Sequence, residues 1–237
     1  MAEPTKISGS FKAGERTLFA GLDLTLTPGA WTCLLGGSGV GKTTVLRLLA
    51  GLPVHGTLNG ELFRPERVAY MAQSDLLLPW ADVRHNVTLG ARLRGEGVDW
   101  DRADGLIEAV GLSDHRHKTP PQLSGGMRQR VALARTLMED AELVLLDEPF
   151  SALDARTRAD MQALAYELLQ CRTKLLVTHD PAEAARLGHI VHILSAGGSS
   201  ELVPPGEPLR EHHAPDKLAF EAQLFQLLGQ VDERVAS

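Results

Sequence analysis

The chain has 237 residues, of which 43% are hydrophobic and 23% charged, with a net charge of −6. That length suits one medium domain with a full core and room for a subdomain. The acidic balance excludes coating of nucleic acid or anionic lipid by charge alone, and no apolar run approaches the roughly 18 residues that cross a bilayer.

The N-terminus, Met1-Ala2-Glu3-Pro4-Thr5-Lys6, has no apolar signal region, so a membrane role must come through a partner. Residues Ile7 to Leu26 read as β-rich, with Leu18, Leu22, Leu24 and Leu26 in partial alternation before the Pro28-Gly29 turn. Phe11 lies here. It is either an aromatic platform for a purine or an ordinary core aromatic, and spacing favours the second.

Trp31 to Leu35 reads as an apolar strand, and Val45 to Ala50 as a helix ended by Gly51. Between them runs Gly36-Gly37-Ser38-Gly39-Val40-Gly41-Lys42-Thr43-Thr44, which fits the phosphate-loop pattern G-x-x-x-x-G-K-S/T. Glycines let backbone N–H groups approach a polyphosphate closely. Lys42 supplies a point charge for the β- and γ-phosphates, and the Thr43 hydroxyl is placed to ligate Mg²⁺. The anion rests on a helix N-terminus.

Gly56 to Leu62 and Arg67 to Met71 read as further strands. Gln73 follows the second one, at a strand end from which it could reach Mg²⁺ or its water, or serve as a plain loop residue. Leu76-Leu77-Leu78-Pro79-Trp80 is a docking surface or a subdomain core. Asp82 to Arg94 reads as a helix with Val83, Val87, Leu89 and Leu93 inward, and Asp101 to Val110 as a second, closed by Gly111. Pro120-Pro121 reads as a linker ending this helical insertion.

Ser124 is a good N-cap. With Gly125 and Gly126 it opens the helix of Met127 to Leu137 and exposes that helix's first amides. This makes a second anion site without a lysine, or merely a Gly-rich helix start. Leu143 to Leu146 is a buried strand of the parallel-sheet kind, ending in Asp147 and Glu148, where open α/β sheets place ligands. Asp147 would hold Mg²⁺ largely through water, and Glu148 could polarise an attacking water. Asp154 caps the helix Arg156 to Leu169 or makes a contact across a dimer; the two are compatible. Lys174 to Val177 is another buried strand, leading to His179, which could contact a γ-phosphate and orient Glu148, or be merely structural. Ile190 to Leu194 and Glu201 to Val203 close the strands, and the tail reads as short helices with Leu218, Leu224, Leu227 and Leu228 on one face. Cys33 and Cys171 lack metal spacing and read as buried or incidental thiols of a reducing cytoplasm.

Taken in order, these motifs resemble those of the ATP-binding subunit of an ABC transporter over nearly the full length. Gly36 to Thr44 is similar to the Walker A loop, Gln73 to the Q-loop glutamine, and Leu123-Ser124-Gly125-Gly126-Met127 to the signature usually written LSGGQ. Leu143 to Glu148 is similar to Walker B with its catalytic glutamate, Ser151 to Asp154 to the D-loop, and His179 to the switch histidine. Phe11 falls where the family's adenine-stacking aromatic sits. Leu77-Leu78-Pro79-Trp80 with Asn86-Val87 resembles the importers of nitrate, sulfonate, taurine and pyrimidine precursors.

The resemblance implies an α/β P-loop NTPase core with a mainly parallel sheet, an N-terminal antiparallel β subdomain and a helical insertion subdomain. The expected division is a nucleotide-binding core over about 1–72 and 143–205, the Q-loop, helical subdomain and signature helix over about 73–140, and a helical tail over about 206–237. It implies ATP and Mg²⁺ as cofactors. It also implies a second ATPase subunit, normally an identical copy, and a membrane permease docked near Gln73 and Leu76 to Trp80, which is itself served by an extracytoplasmic solute-binding protein. The chain would sit on the cytoplasmic face of the membrane through that permease and import a small solute, with no nucleic-acid partner. Rival readings are a soluble ABC ATPase, a P-loop small-molecule kinase and a regulatory ATP sensor. A kinase needs neither the signature nor an acid beside Asp147, and a sensor does not need Lys42, Glu148 and His179 together.

Overall fold

The computed structural model describes residues 4–236, and side chains for residues 4–230. Met1 to Glu3, the first residues of the N-terminal reading, lie outside them. The strands are β1 (Thr5–Ala13), β2 (Arg16–Leu26), β3 (Trp31–Gly36), β4 (Thr57–Phe63), β5 (Val68–Met71), β6 (Leu143–Asp147), β7 (Thr173–Val177), β8 (Ile190–Ser195) and β9 (Gly198–Leu202). The helices are α1 (Lys42–Ala50), α2 (Val83–Val87), α3 (Leu89–Leu93), α4 (Trp100–Ala109), α5 (Gly125–Met138), α6 (Ala155–Leu168), α7 (Pro181–Leu187) and α8 (Pro215–Ala236). They form two compact units, one of residues 1–67 with 171–237 and one of residues 68–170.

In the first unit, β3 is buried along its whole length, as a strand flanked on both sides must be. It pairs parallel with β7 and with β8, and β8 turns back antiparallel into β9. A second, antiparallel sheet has the order β2-β1-β4. In β2 the inward set is Phe19, Leu22, Leu24 and Leu26, and Leu18 is only half-buried. Gly9 pairs with Leu22 but Phe11 pairs with Phe19, so β2 carries one extra residue there. Gly21, at φ +67°, sits in that bulge. A bulge moves every residue before it to the other face, which is why the alternation expected through Leu18 is broken.

α8 is one helix rather than several short ones. Lys217, Phe220 and Leu224, at i, i+3 and i+7, form its buried stripe, while Leu218 is 46% exposed because it lies one position off. Lys217 is tolerated inside because its Nζ donates to Glu221 Oε2 at 2.5 Å, one turn on.

In the second unit, β5 and β6 pair parallel. Val83, Val87, Ile107, Leu123 and Val131 build a core from α2, α4, α5 and the segments joining them. The helix expected over Asp82 to Arg94 is two helices. Thr88 Oγ1 donates back to Arg84 O at 3.0 Å, so its side chain competes with the ladder where α2 gives way to α3. The inner stripe is Val83, Val87 and Ala91; Leu93 is 77% exposed, on the flank. Pro120-Pro121 is not a linker. It lies in a 3₁₀ turn closed by a Thr119–Gln122 capping box, with Pro120 buried.

Candidate nucleotide site and its partner surfaces

The phosphate loop leaves β3 and enters α1 in the first unit. Gly39 and Gly41 hold φ +74° and +106°, which a side chain disfavours. A Cβ on Gly36 would lie 2.6 Å from Leu194 O, and one on Gly41 2.9 Å from the Phe19 ring. Gly41 is the N-cap of α1 and offers no side chain to it, so no side chain caps the start of the helix. Lys42 is 9% exposed; its Nζ donates to Gly36 O at 2.7 Å and Gly37 O at 2.9 Å, which pins the positive charge over the loop. Val40 is buried, while Ser38 and Thr43 are exposed.

Among the described residues there is no cluster of three or more His, Cys, Asp or Glu able to hold a metal. His179 follows β7 by two residues, at the end where β7 lies beside the start of the phosphate loop: Val177 pairs with Leu34, and Thr178 N donates to Leu34 O at 3.2 Å. His179 is exposed there.

Phe11 is 1% exposed, and its ring stacks on Phe19 with centroids 5.9 Å apart. The expectation that it stacks on adenine is corrected: no face of the ring is open, because Phe11 shares the inward face of β1 with Ile7 and the bulge in β2 brings Phe19 in beside it. The core-aromatic reading holds.

In the second unit, Asp147 ends β6 and is 7% exposed. Tyr70, on the neighbouring β5, donates its hydroxyl to Asp147 Oδ2 at 2.8 Å. Sequence reading misses Tyr70; its signal is a phenol on the strand next to an acid-tipped one. Glu148 sits at φ +46°, a conformation non-glycine residues rarely adopt and often a mark of functional sites. Its Oε2 accepts from Gln73 Nε2 at 3.2 Å, so the strand-end glutamine meets the acid directly.

At the signature, Ser124 Oγ caps α5 by accepting from Met127 N at 3.3 Å. A Cβ on Gly126 would lie 2.8 Å from Thr157 Cγ2, so α5 meets α6 closely at that point. Asp154 caps α6, accepting from Thr157 N at 3.1 Å. The Thr157 hydroxyl and amide hold its carboxyl below the usual range. Ser124, Gly125, Gly126, Asp154 and Thr157 line one cavity of about 560 Å³, with His115 and Arg130 at its wall.

The Leu76–Trp80 run divides. Leu77 is buried, while Leu76 is 63% and Trp80 77% exposed. Leu78, Trp80, Leu89 and Leu93 line an open groove of about 720 Å³ rimmed by Asp82, His85, Arg92 and His117. No described helix is long and apolar enough to cross a membrane.

A phosphate loop at the end of a buried parallel strand defines a P-loop nucleotide-binding protein. The family model for ABC transporters matches residues 19–151, and the chain belongs to that family as an ATP-binding subunit. It is 47% identical over 224 residues to an ABC transporter ATP-binding protein of Haemophilus influenzae, covering 90% of this chain and 93% of that one. It is 46% identical to the aliphatic sulfonates import ATP-binding protein SsuB 1 of Pseudomonas fluorescens, covering 92% and 83%, and 42% identical to that of Rhodococcus jostii, covering 94% and 92%. In fold it is similar to a structure described as an inward-facing metal-chelate type ABC transporter, with a TM-score of 0.73 at 23% identity over 84% of this chain and 82% of that one. ABC ATP-binding subunits are ATPases coupled to transport, and neither the soluble-ATPase nor the kinase reading is favoured.

Proposed function

We propose that the chain powers import of a small solute through a separate permease, as one of two identical ATPase copies on the cytoplasmic face of the membrane. The observation that carries this is the second anion-binding end. Ser124-Gly125-Gly126 opens a helix on two glycine amides, with the Met127 amide capped by Ser124 and no lysine beside it, and shares its cavity with Asp154. One nucleotide on one chain needs one such grip. A second is used when each copy's signature closes on the nucleotide held by the other.

In this reading the Gly36–Thr44 loop and Lys42 bind the phosphates of ATP, and Thr43 and Asp147 serve Mg²⁺, which neutralises phosphate charge when bound. Glu148 orients and deprotonates the attacking water, help worth roughly 10²–10⁴-fold. Gln73 adjusts Glu148, and His179 senses the γ-phosphate. ATP joins the copies and hydrolysis parts them, which shifts the attached permease between states. The groove at Trp80, Leu89 and Leu93 receives a short amphipathic helix of the permease, the kind of partner an apolar, polar-rimmed groove takes. The relatives' names make an alkyl sulfonate the first solute to test.

Tagged Glu148→Gln protein, held with ATP and drawn from its own detergent-solubilised membranes, tests this. Recovery of a multi-span permease, with sulfonate-stimulated ATP turnover by the wild-type complex, supports it. Recovery of soluble partners alone overturns the transport reading. A permease whose turnover rises with a different solute overturns the sulfonate assignment only.

A further inference from the structure

The loop that follows β5 has no regular backbone pairing of its own, yet its carbonyls are occupied. Gln129 Nε2 donates to Gln73 O at 3.3 Å, and Arg135 donates to Asp75 O at 2.6 Å and Leu76 O at 2.9 Å. All of these donors lie on α5, the helix that the signature begins. Leu76 holds φ +47° between those bonds, so α5 imposes a loop shape the chain does not favour by itself.

One of the grips differs in kind. Arg128 donates through Nε to Asp75 Oδ2 at 2.9 Å and through Nη1 to Leu123 O at 2.9 Å. Leu123 immediately precedes Ser124, so a single guanidinium joins the loop's carboxylate to the peptide that leads into the signature. A guanidinium is planar and its donors are fixed relative to one another. A displacement of Asp75 therefore changes the angle at which Leu123 O is held. Asp75 Oδ1 also accepts from Leu77 N at 3.2 Å, which stiffens the loop between Asp75 and the groove-lining Leu78. Two residues upstream the same loop presents Gln73 to Glu148.

We propose that Arg128 is a positioning residue, and that the Asp75–Arg128–Leu123 bridge delivers movement of the permease-contacting loop to the signature. The Gln73–Glu148 contact delivers the same movement to the hydrolytic acid. The proposal rests on the docking reading given above. Neither Asp75 nor Arg128 is assigned to nucleotide or metal, so their loss should uncouple rather than inactivate.

The test compares wild type, Asp75→Asn, Arg128→Gln, Arg128→Lys and the Asp75→Asn/Arg128→Gln double variant. Hydrogen exchange on the chain alone comes first. The single variants are expected to speed exchange of the amides of residues 124–128 at least fivefold, and the double variant no further. Lysine, which pairs with Asp75 but cannot fork to Leu123 O, is expected to behave like glutamine. Unchanged exchange at 124–128, or full protection with lysine, overturns the bridge whatever a permease does. The complex recovered with its permease comes second. Turnover of the chain alone is expected to stay within twofold of wild type, while permease stimulation falls about fivefold or more, the low end of ordinary coupling between sites. Equal losses with and without permease overturn the positioning role. Wild-type protein that no permease stimulates overturns the docking reading instead, and with it the link's stated purpose, even if the exchange result stands.

Discussion

Asn86 is fully buried on α2 and holds the loop that carries Trp80. Its Oδ1 accepts from Leu78 N at 2.7 Å, and its Nδ2 donates to Leu78 O at 3.2 Å and to Ala81 O and Asp82 O at 3.0 Å. Asn86→Ala removes all four. Leu78 O keeps a bond from Ala81 N, and Asp82 O keeps one from the Asn86 amide. The Leu78 N–H and the Ala81 carbonyl lose their partner. Each such buried group costs about 1–3 kcal/mol. Leu78 and Ala81 are only half-buried, so water can reach them and the lower part of that range applies. The expected loss is about 2–4 kcal/mol, or roughly 5–15 °C in Tm for a chain of this size. Thermal and urea unfolding followed by circular dichroism measure it. Asn86→Asp should be worse at neutral pH, because it turns a carboxylate toward the Ala81 and Asp82 carbonyls, and should recover as the pH falls. A loss below about 1 kcal/mol for Asn86→Ala would refute the reasoning.

Three further outcomes follow from the geometry. Phe11→Ala should cost about 3–5 kcal/mol of stability, as a buried aromatic does, while the KM for ATP stays within about twofold; a large rise in KM with unchanged Tm would restore the base-stacking role. His192 is buried, which pushes its ring below the ordinary 6.5 although Glu201 and Asp23 oppose this. The unfolded chain therefore takes up that proton first as pH drops, and stability should fall below about pH 6.5 by up to ~1.4 kcal/mol per unit; His192→Leu should flatten that slope in unfolding titrations. Trp80→Asp should leave ATP turnover of the chain alone unchanged and abolish stimulation by the permease, and full stimulation would refute the docking surface.

What could be read in the sequence was whatever a short stretch of backbone demands for itself. The phosphate loop needs glycines at positive φ and a lysine at a fixed offset, and the signature needs a capping hydroxyl before two glycines; both are written in consecutive residues, and Gly39 and Gly41 hold positive φ while Ser124 caps α5. What stayed hidden depends on distant partners. The bulge at Gly21 decides that Phe19 rather than Leu18 faces inward beside Phe11, and it shows only in the pairing of β1 with β2. Tyr70 and Asp147 are far apart in the chain and meet because β5 and β6 run side by side. Thr88 divides a helix through a bond that no hydrophobic period reveals, and the proline pair becomes a capped turn only because Gln122 closes back on Thr119.

The helix ends themselves say where an anion belongs. Among the described helices of eight or more residues, α4 and α6 carry an aspartate at the N-cap, and α8 carries Asp216 in its first turn. These carboxylates offset the positive end of the helix dipole. α1 and α5 have none at either place; α1 has a glycine at its N-cap, and α5 opens on Gly125 and Gly126. Only α1 has a lysine beside it, so α5 acts on an anion whose main grip lies elsewhere. Ser124→Asp tests this without disturbing the fold, because aspartate caps a helix as well as serine does. The added charge should leave ATP binding by a single chain unchanged. It should weaken ATP-driven dimerisation in the Glu148→Gln background at least tenfold, read by sedimentation at matched ATP. Dimerisation as strong as that of the parent would mean that no phosphate approaches α5, and the paired-copy mechanism would lose its second grip.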